Sequence, residues 1–324
     1  MNSILVFGSI NIDLVTKTPR LPIAGETVNG SDFFTAPGGK GANQAVAAAR
    51  LGMMTHLVGR LGDDAFTHQL LASLQAAGVQ TDKILRDTST SSGVAVILVD
   101  EAGENQIVIT AGANGQLNQT DVARLKPLLP TATALLMQLE IPLLAVIEAA
   151  RTAHDAGVPV ILDPAPAQDI PPELYSLVDI ITPNQIEASQ LVGFAVDSLE
   201  TAKQAAPILQ QRGVKTVILT LGNQGVYCST PSESFFVPAF PVQVVDTTAA
   251  GDAFNGALAV ALAEGLPIQQ AVVWGAAAGA ISVTQAGAQP SLPNREALAQ
   301  FLTDVETRHG ASLRNIRGVV FRSD

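Results

Sequence analysis

The sequence predicts an α/β protein, with a mostly parallel central sheet covered by helices on both faces and a small antiparallel sheet set against it. Three observations lead there. From about residue 130 onward, short β-branched runs that are apolar on both faces alternate with amphipathic helical segments, as strands buried between two helical layers do. The N-terminal third instead carries turn-flanked segments suited to antiparallel pairing. A length of 324 residues with 47% hydrophobic content suffices for one large core and an appendage, so two independent domains are not required.

Taken in order, residues 4–8 form the first strand, and the stretch 16–30, rich in Thr, Pro and Gly, leaves the main sheet. Residues 41–51 and 66–77 are predicted helical, the second placing Phe66, Leu70 and Leu74 on one face before Gly78. Residues 93–99 and 106–110 flank the turn residues 100–105, which is a hairpin signal. A strand at 134–138 is followed by Leu143, Val146, Ile147 and Ala150 at helical spacing as far as Gly157. Further strands are expected at 160–162, 180–182 and 216–221, and Cys228 falls in another. The expected organisation is one α/β domain over 1–310, its small sheet built from about 10–35 and 90–112, and a tail over 311–324.

Composition narrows the function. Eighteen basic against 29 acidic residues, a net charge of -11, argue against nucleic acid or an anionic membrane as partner. One cysteine, Cys228, excludes an intrachain disulfide, and four scattered histidines form no zinc pattern. With a single cysteine a reducing cytoplasm is the expected compartment, and no basic residue precedes Lys17 as in the charged start of a secretory signal. The uncharged stretch 265–294 is long enough for a membrane span, but its prolines and glutamines fit a buried helix followed by a loop. Aromatics are only 4%, so Ala, Val, Ile and Leu must pack the core.

Three groups of residues suggest chemistry. The first is Asp246, Thr247, Thr248, Ala249, Ala250, Gly251, Asp252, opening a helix with Phe254, Leu258 and Leu262 on its apolar face. Small residues there allow close backbone approach, and the N–H groups of Ala250, Gly251 and Asp252 would form an anion cradle at the positive helix end. Asp252 beside a bound phosphate could accept the proton of an attacking sugar hydroxyl in an in-line transfer. The other reading is an ordinary helix cap. The second group is Gly38, Gly39, Lys40, Gly41, Ala42, Asn43. It fails the Walker pattern, since Gly41 follows Lys40 and no glycine stands at 34, and the dinucleotide fingerprint fails as well. A tight loop able to hold hydroxyl or anionic groups remains, as does a plain close-packed helix start.

The third group is positional. Parallel sheets bind ligands beyond the carboxyl ends of their strands, and polar residues recur there: Asn11 and Asp13, Glu140, Asn184 with Glu187, and 220–225. Asp13, Glu140 and Asp252 with Asn11, Asn43 and Lys40 could hydrogen-bond several hydroxyls of a polyol. Glu187 is placed to hold hydrated Mg²⁺ through water, or else to be a solvated first-turn glutamate. Each Asn or Asp could also be a turn residue.

From Ile4 to about Leu302, these segments together resemble the ribokinase (PfkB) family of carbohydrate kinases, with both signatures present: the Gly38 to Asn43 loop with its following helix to Gly62, and Asp246 to Gly256. The resemblance implies a ribokinase-like three-layer α/β/α fold with the small antiparallel sheet as lid. It implies ATP-dependent phosphorylation of the 5-hydroxyl of D-ribose, with Asn11, Asp13, Gly39, Lys40, Gly41, Ala42, Asn43 and Glu140 around the sugar. Asp252 matches the catalytic base, and Ala249, Ala250 and Gly251 match the anion hole. Asn184 and Glu187 match the motif for nucleotide phosphates and Mg²⁺, while Thr220, Leu221, Gly222, Asn223, Gln224 and Gly225 match the loop along the nucleotide. A K⁺ activator would lie at Asp246, Thr248, Ser282, Gln285, Gly287 and Ser291. The resemblance departs at Ala276, where the family often has a histidine beside the adenine, and after 310. A homodimer through the small sheets is implied, compatible with the apolar alternation of 93–99. Two other readings stay open: a kinase for another sugar or nucleoside, and a sugar-sensing protein without catalysis.

Overall fold

Alternation along the buried strands builds the architecture, because consecutive side chains point to opposite faces. The computed structural model describes residues 2–308, and the tail expected over 311–324 lies outside the described residues. Its strands are β1 (Ser3–Phe7), β2 (Asn11–Lys17), β3 (Asp32–Gly38), β4 (Met54–Gly62), β5 (Ile84–Asp87), β6 (Gly93–Val99), β7 (Asn105–Thr110), β8 (Ala132–Met137), β9 (Val160–Leu162), β10 (Ile180–Ile181), β11 (Thr216–Thr220), β12 (Gly225–Ser229) and β13 (Ser234–Pro238). The helices are α1 (Lys40–Arg50), α2 (Thr67–Ala76), α3 (Gln119–Val122), α4 (Leu143–Asp155), α5 (Pro172–Leu177), α6 (Gln185–Val192), α7 (Leu199–Gln211), α8 (Ala250–Ala263), α9 (Ile268–Ser282), α10 (Ala288–Ser291) and α11 (Arg295–Arg308).

The large sheet has nine strands in the order β13-β12-β11-β10-β9-β8-β1-β4-β5. Its strands pair in parallel except for the antiparallel edge β11-β12-β13. Ile4, Val6, Ala134, Leu136, Ile161 and Ile218 face one helical layer, where α1, α2, α8, α9 and α11 pack. Leu5, Phe7, Leu135, Met137, Val160 and Leu219 face the other, where α3 to α7 pack. This is the three-layer arrangement expected. Each fully buried Leu, Ile or Phe contributes on the order of 2 kcal/mol. Cys228, in strand β12, and Met137, at the end of β8, are completely buried core residues.

The first helical layer is unusually thin-skinned. A β-carbon on Gly256 of α8 would lie 2.5 Å from Ala47 Cβ of α1, and one on Gly275 of α9 would lie 2.8 Å from the Phe254 ring. Ala and Gly on facing surfaces therefore let α1, α8 and α9 approach closely, which explains the low aromatic content. The uncharged stretch 265–294 is α9 followed by the short α10, and among the described residues no helix is long and apolar enough to cross a membrane.

The small sheet has the order β3-β2-β6-β7. Both hairpin pairs, β2-β3 and β6-β7, are antiparallel, and the strand at 93–99 has the bounds that the sequence indicated. The two pairs meet through a parallel pairing of β2 with β6, from Asn11↔Gly93 to Lys17↔Val99. Both strands leave the main body at the same root and run outward together, so that central pairing is parallel. The helix of the first signature ends at Arg50, and the segment from 54 to 62 is strand β4, not helix; its Leu57, Val58 and Leu61 are fully buried.

Candidate active site

Parallel strands deliver their carboxyl ends to one edge. There the chain beyond β1, β8, β9, β10 and β11 meets the starts of α1 and α8. Glu140 Oε2 accepts from Ser9 Oγ at 2.5 Å and from the Lys40 backbone N–H at 3.1 Å. Ser9 Oγ accepts in turn from the Gly41 N–H at 3.2 Å, and the Ala42 N–H donates to Ser9 O at 2.8 Å. The start of α1 is thereby fastened to the end of β1. Gly39 precedes it at φ 89, in the left-handed region, with no side chain capping the helix. A β-carbon on Gly38 would lie 2.3 Å from Asp13 Oδ2, so the first glycine of the loop makes room for that carboxylate. Gly41 and Ala42 are buried and pack against the backbone of Gly8 and Ser9.

Asn11 is buried, and its Oδ1 accepts from Asn114 Nδ2 at 2.7 Å. Asn114 also accepts from the Ile10 N–H at 2.9 Å. These bonds fix the Asn11 amide with its own NH₂ turned away from Asn114. Asn114 and Ser9 were missed at the level of sequence, since each acts by contact with residues remote along the chain or of no distinctive type.

Asp252 lies in the first turn of α8 and is 4% exposed. Its carboxylate does not cap its own helix. Oδ2 accepts from Asn43 Nδ2 at 2.9 Å and Oδ1 from Gln44 Nε2 at 3.1 Å, both on α1. The geometry thus disfavours the ordinary cap reading. Burial pushes Asp252 up to about 6, with Lys40 and the two amides opposing that shift. Ahead of it, Ala249 has φ 61, the one non-glycine residue with positive φ among the described residues. The Ala250 N–H turns back to Thr247 O at 3.3 Å, so the cradle rests chiefly on Gly251 and Asp252. A left-handed alanine stores about 1–2 kcal/mol. Ala249→Gly is therefore expected to leave the Tm unchanged or raise it, whereas the β-branched Ala249→Val should lower it by several degrees in thermal unfolding.

Lys40 sits among acids. Burial alone would lower its pKa, but Asp252, Asp163, Glu140 and Glu187 outweigh that and hold it above the ordinary lysine value, so it is cationic. Asp13 is raised to about 7 by burial, then by Glu140 and Asp252. Asp163, just past β9, is 5% exposed, and burial holds it well above the usual carboxylate range. The strand-end rule that marks Asn184 and Glu140 reaches Asp163 as well, a carboxylate that the sequence reading passed over.

On the adjoining side, Asn184 and Glu187 form a reciprocal cap: the Asn184 N–H donates to Glu187 Oε2 at 2.8 Å, and the Glu187 N–H donates to Asn184 Oδ1 at 3.0 Å. Each Glu187 oxygen accepts one bond from Asn184, leaving lone pairs free, and burial raises its pKa. Such a carboxylate fits a hydrated divalent ion held through water. Asn184 bridges to Thr220, which brings the 220–225 loop alongside. Gly222 and Asn223 are exposed there; Leu221 is fully buried, Gln224 donates to Asp197 O at 2.6 Å, and Gly225 packs on Val237 O. Ala276 lies half-buried on α9, one turn before Gly279, which faces Ala250 O.

The residues that the resemblance assigns to a monovalent cation lie on two neighbouring loops. Asp246 Oδ1 accepts from the Thr248 N–H at 2.8 Å and Thr248 Oγ1 at 2.6 Å, and Oδ2 accepts from the Gly287 N–H at 2.8 Å. Ser282 and Ser291 hydroxyls lie 2.8 Å apart, while Gln285 is exposed on the intervening turn. Asp246 thus ties the 246–248 loop to Gly287, and both its oxygens already accept hydrogen bonds.

Polar strand ends, an uncapped helix start and a buried carboxylate between them suit phosphoryl transfer to a hydroxyl. The chain belongs to the pfkB family of carbohydrate kinases, whose model matches residues 1–295. It is 43% identical over 300 residues to a ribokinase of Haemophilus influenzae, covering 93% of this chain and 98% of that one. A ribokinase structure from Thermotoga maritima superposes with TM-score 0.86 at 40% identity, covering 94% of this chain and all of that one. Arabidopsis thaliana ribokinase complexed with ribose and ATP superposes with TM-score 0.86 at 36% identity, covering 93% and 99%.

Proposed function

We propose that the protein is an ATP-dependent kinase that phosphorylates the 5-hydroxyl of D-ribose. The observation that carries this reading is the buried, uncapping Asp252 carboxylate, held by α1 at the junction of the sugar residues and the helix start. Asn11, Asp13, Gly39, Lys40, Asn43 and Glu140 hold the sugar, and the small sheet acts as its lid. The 5-oxygen bonds to the γ-phosphorus as the bridging oxygen leaves with ADP, and the hydroxyl proton passes to Asp252. Negative charge developing on the transferred group meets the N–H groups of Gly251 and Asp252 and the Lys40 ammonium. Mg²⁺ near Glu187 would neutralise phosphate charge, and K⁺ at the 246–248 and 282–291 loops would steady the anion hole. Asn184 and the exposed 222–223 turn line the nucleotide, and Ala276 leaves the adenine without an imidazole neighbour. With Cys228 as its single cysteine the chain can form no intrachain disulfide, and we place the protein in the reducing cytoplasm.

The test is a coupled ADP assay across ribose, deoxyribose, fructose and ribonucleosides, with and without K⁺. Ribose should give the highest kcat/KM; a competitor well above it overturns the substrate, and no ADP with any sugar overturns the kinase. Because Asp252 must be ionised to take the proton, and it titrates at about 6, kcat/KM should fall as pH drops through that value. Protonation of Asp13, raised to about 7, weakens sugar binding in the same direction. A flat profile between pH 5 and 8 would contradict both assignments.

The small sheet exposes Phe34, Ile107 and Ile109 on the face that carries Asp13, and Phe33 and Val108 on the opposite face; apolar side chains so exposed suit a second copy of the chain, and we propose a homodimer there. Sedimentation should show a dimer at micromolar concentration. Adjacent strand residues face opposite ways, so Ile107→Glu and Val108→Glu report on the two faces separately; neither shifting the protein to monomer would count against the interface.

A further inference from the structure

One buried polar cluster lies directly behind Asp252. Gln44 is fully buried on α1, beside Ala42, Ala45 and Val46. Its Nε2 donates to Asp252 Oδ1 at 3.1 Å and to Asp163 Oδ2 at 2.8 Å, so both amide hydrogens are directed at carboxylates. Its Oε1 accepts from Gln138 Nε2 at 2.5 Å. That bond fixes the amide, since a flip would turn Oε1 onto two carboxylates and Nε2 onto a donor. Gln138 is itself buried over Gly8, where a β-carbon would lie 2.1 Å from Gln138 Oε1.

We propose that Gln44 is a positioning residue, gripped by Gln138, which holds the Asp252 carboxylate in one orientation and insulates it from Asp163. The terminal torsion of an aspartate is soft. Asn43 restrains one oxygen, and Gln44 restrains the other. With both in place, the remaining lone pair has a fixed direction relative to the substrate hydroxyl. Gln44 touches no substrate; it acts through Asp252, and the proposal rests on Asp252 being the base.

Steady-state kinetics of Gln44→Leu, Gln138→Leu, the double variant and Asp252→Asn test this. Gln44→Leu should lower kcat about 10- to 100-fold with the ribose KM within about threefold, because misplacement harms the transition state and spares binding. Gln138→Leu should lower kcat less, and the double variant no further than Gln44→Leu alone. Unchanged kcat in folded Gln44→Leu, or losses that multiply in the double variant, overturns the proposal. If Gln44→Leu does not fold, Gln138→Leu decides: unchanged kcat overturns it, and a loss at constant KM supports it. Asp252→Asn inactive beside a fully active Gln44→Leu leaves the base intact and removes the positioning role, whereas an active Asp252→Asn removes the base itself.

Discussion

Asp252→Asn is expected to lower kcat by on the order of 10³-fold or more while ribose binding stays within about threefold. The factor corresponds to about 4 kcal/mol of lost transition-state stabilisation. Asn has the shape of Asp, and the pocket that holds it is fully formed by Asn43 and Gln44. The amide cannot accept the hydroxyl proton at neutral pH, so the chemical step loses its base. The fold should persist, because removing a buried charge offsets the one hydrogen bond lost where two NH₂ groups face each other. A coupled assay beside ribose titration calorimetry checks both halves. Turnover near the wild-type rate would show that the carboxylate is structural.

Gly41→Ala is expected to lower kcat/KM by about 100-fold and stability by about 1–3 kcal/mol. A β-carbon there would lie 2.6 Å from both the Gly8 carbonyl carbon and the Ser9 nitrogen. Both are backbone atoms, with no flexible side chain that could swing aside. The start of α1 must therefore retreat from β1, carrying Lys40, Asn43 and Gln44 with it. The Gly41 N–H to Ser9 and Lys40 N–H to Glu140 bonds stretch together. Kinetics and thermal unfolding read the two effects independently; wild-type values of both would mean that this contact yields easily.

The sequence made the layers legible wherever a local pattern existed. Strand 160–162 and the lid strand 93–99 were readable because apolar alternation and bounding turns are short-range signals. The two signatures likewise marked the starts of α1 and α8. Partners that meet only through the fold were not readable. Asn114 lies 103 residues from Asn11, and Gln138 lies 94 from Gln44. No spacing rule links such pairs. Gln44 did leave a trace, as the second of two adjacent amides, Asn43 and Gln44, followed by a run of Ala and Val. The parallel β2-β6 pairing joins segments 82 positions apart (Asn11 with Gly93), and neither strand's composition specifies its neighbour.

That pairing roots both central strands of the small sheet beside Asn11, and it gives the sheet leverage. A seven-residue strand extends about 23 Å from its root. A tilt of roughly 10° about that root would carry the outer edge about 4 Å, yet Asp13, two residues along, would move only about 1 Å. If the small sheet is the proposed lid, sealing the cleft would be mechanically separate from aligning the groups at its base. Changes at the outer edge would then retune how fast such a lid opens without disturbing the alignment at its base.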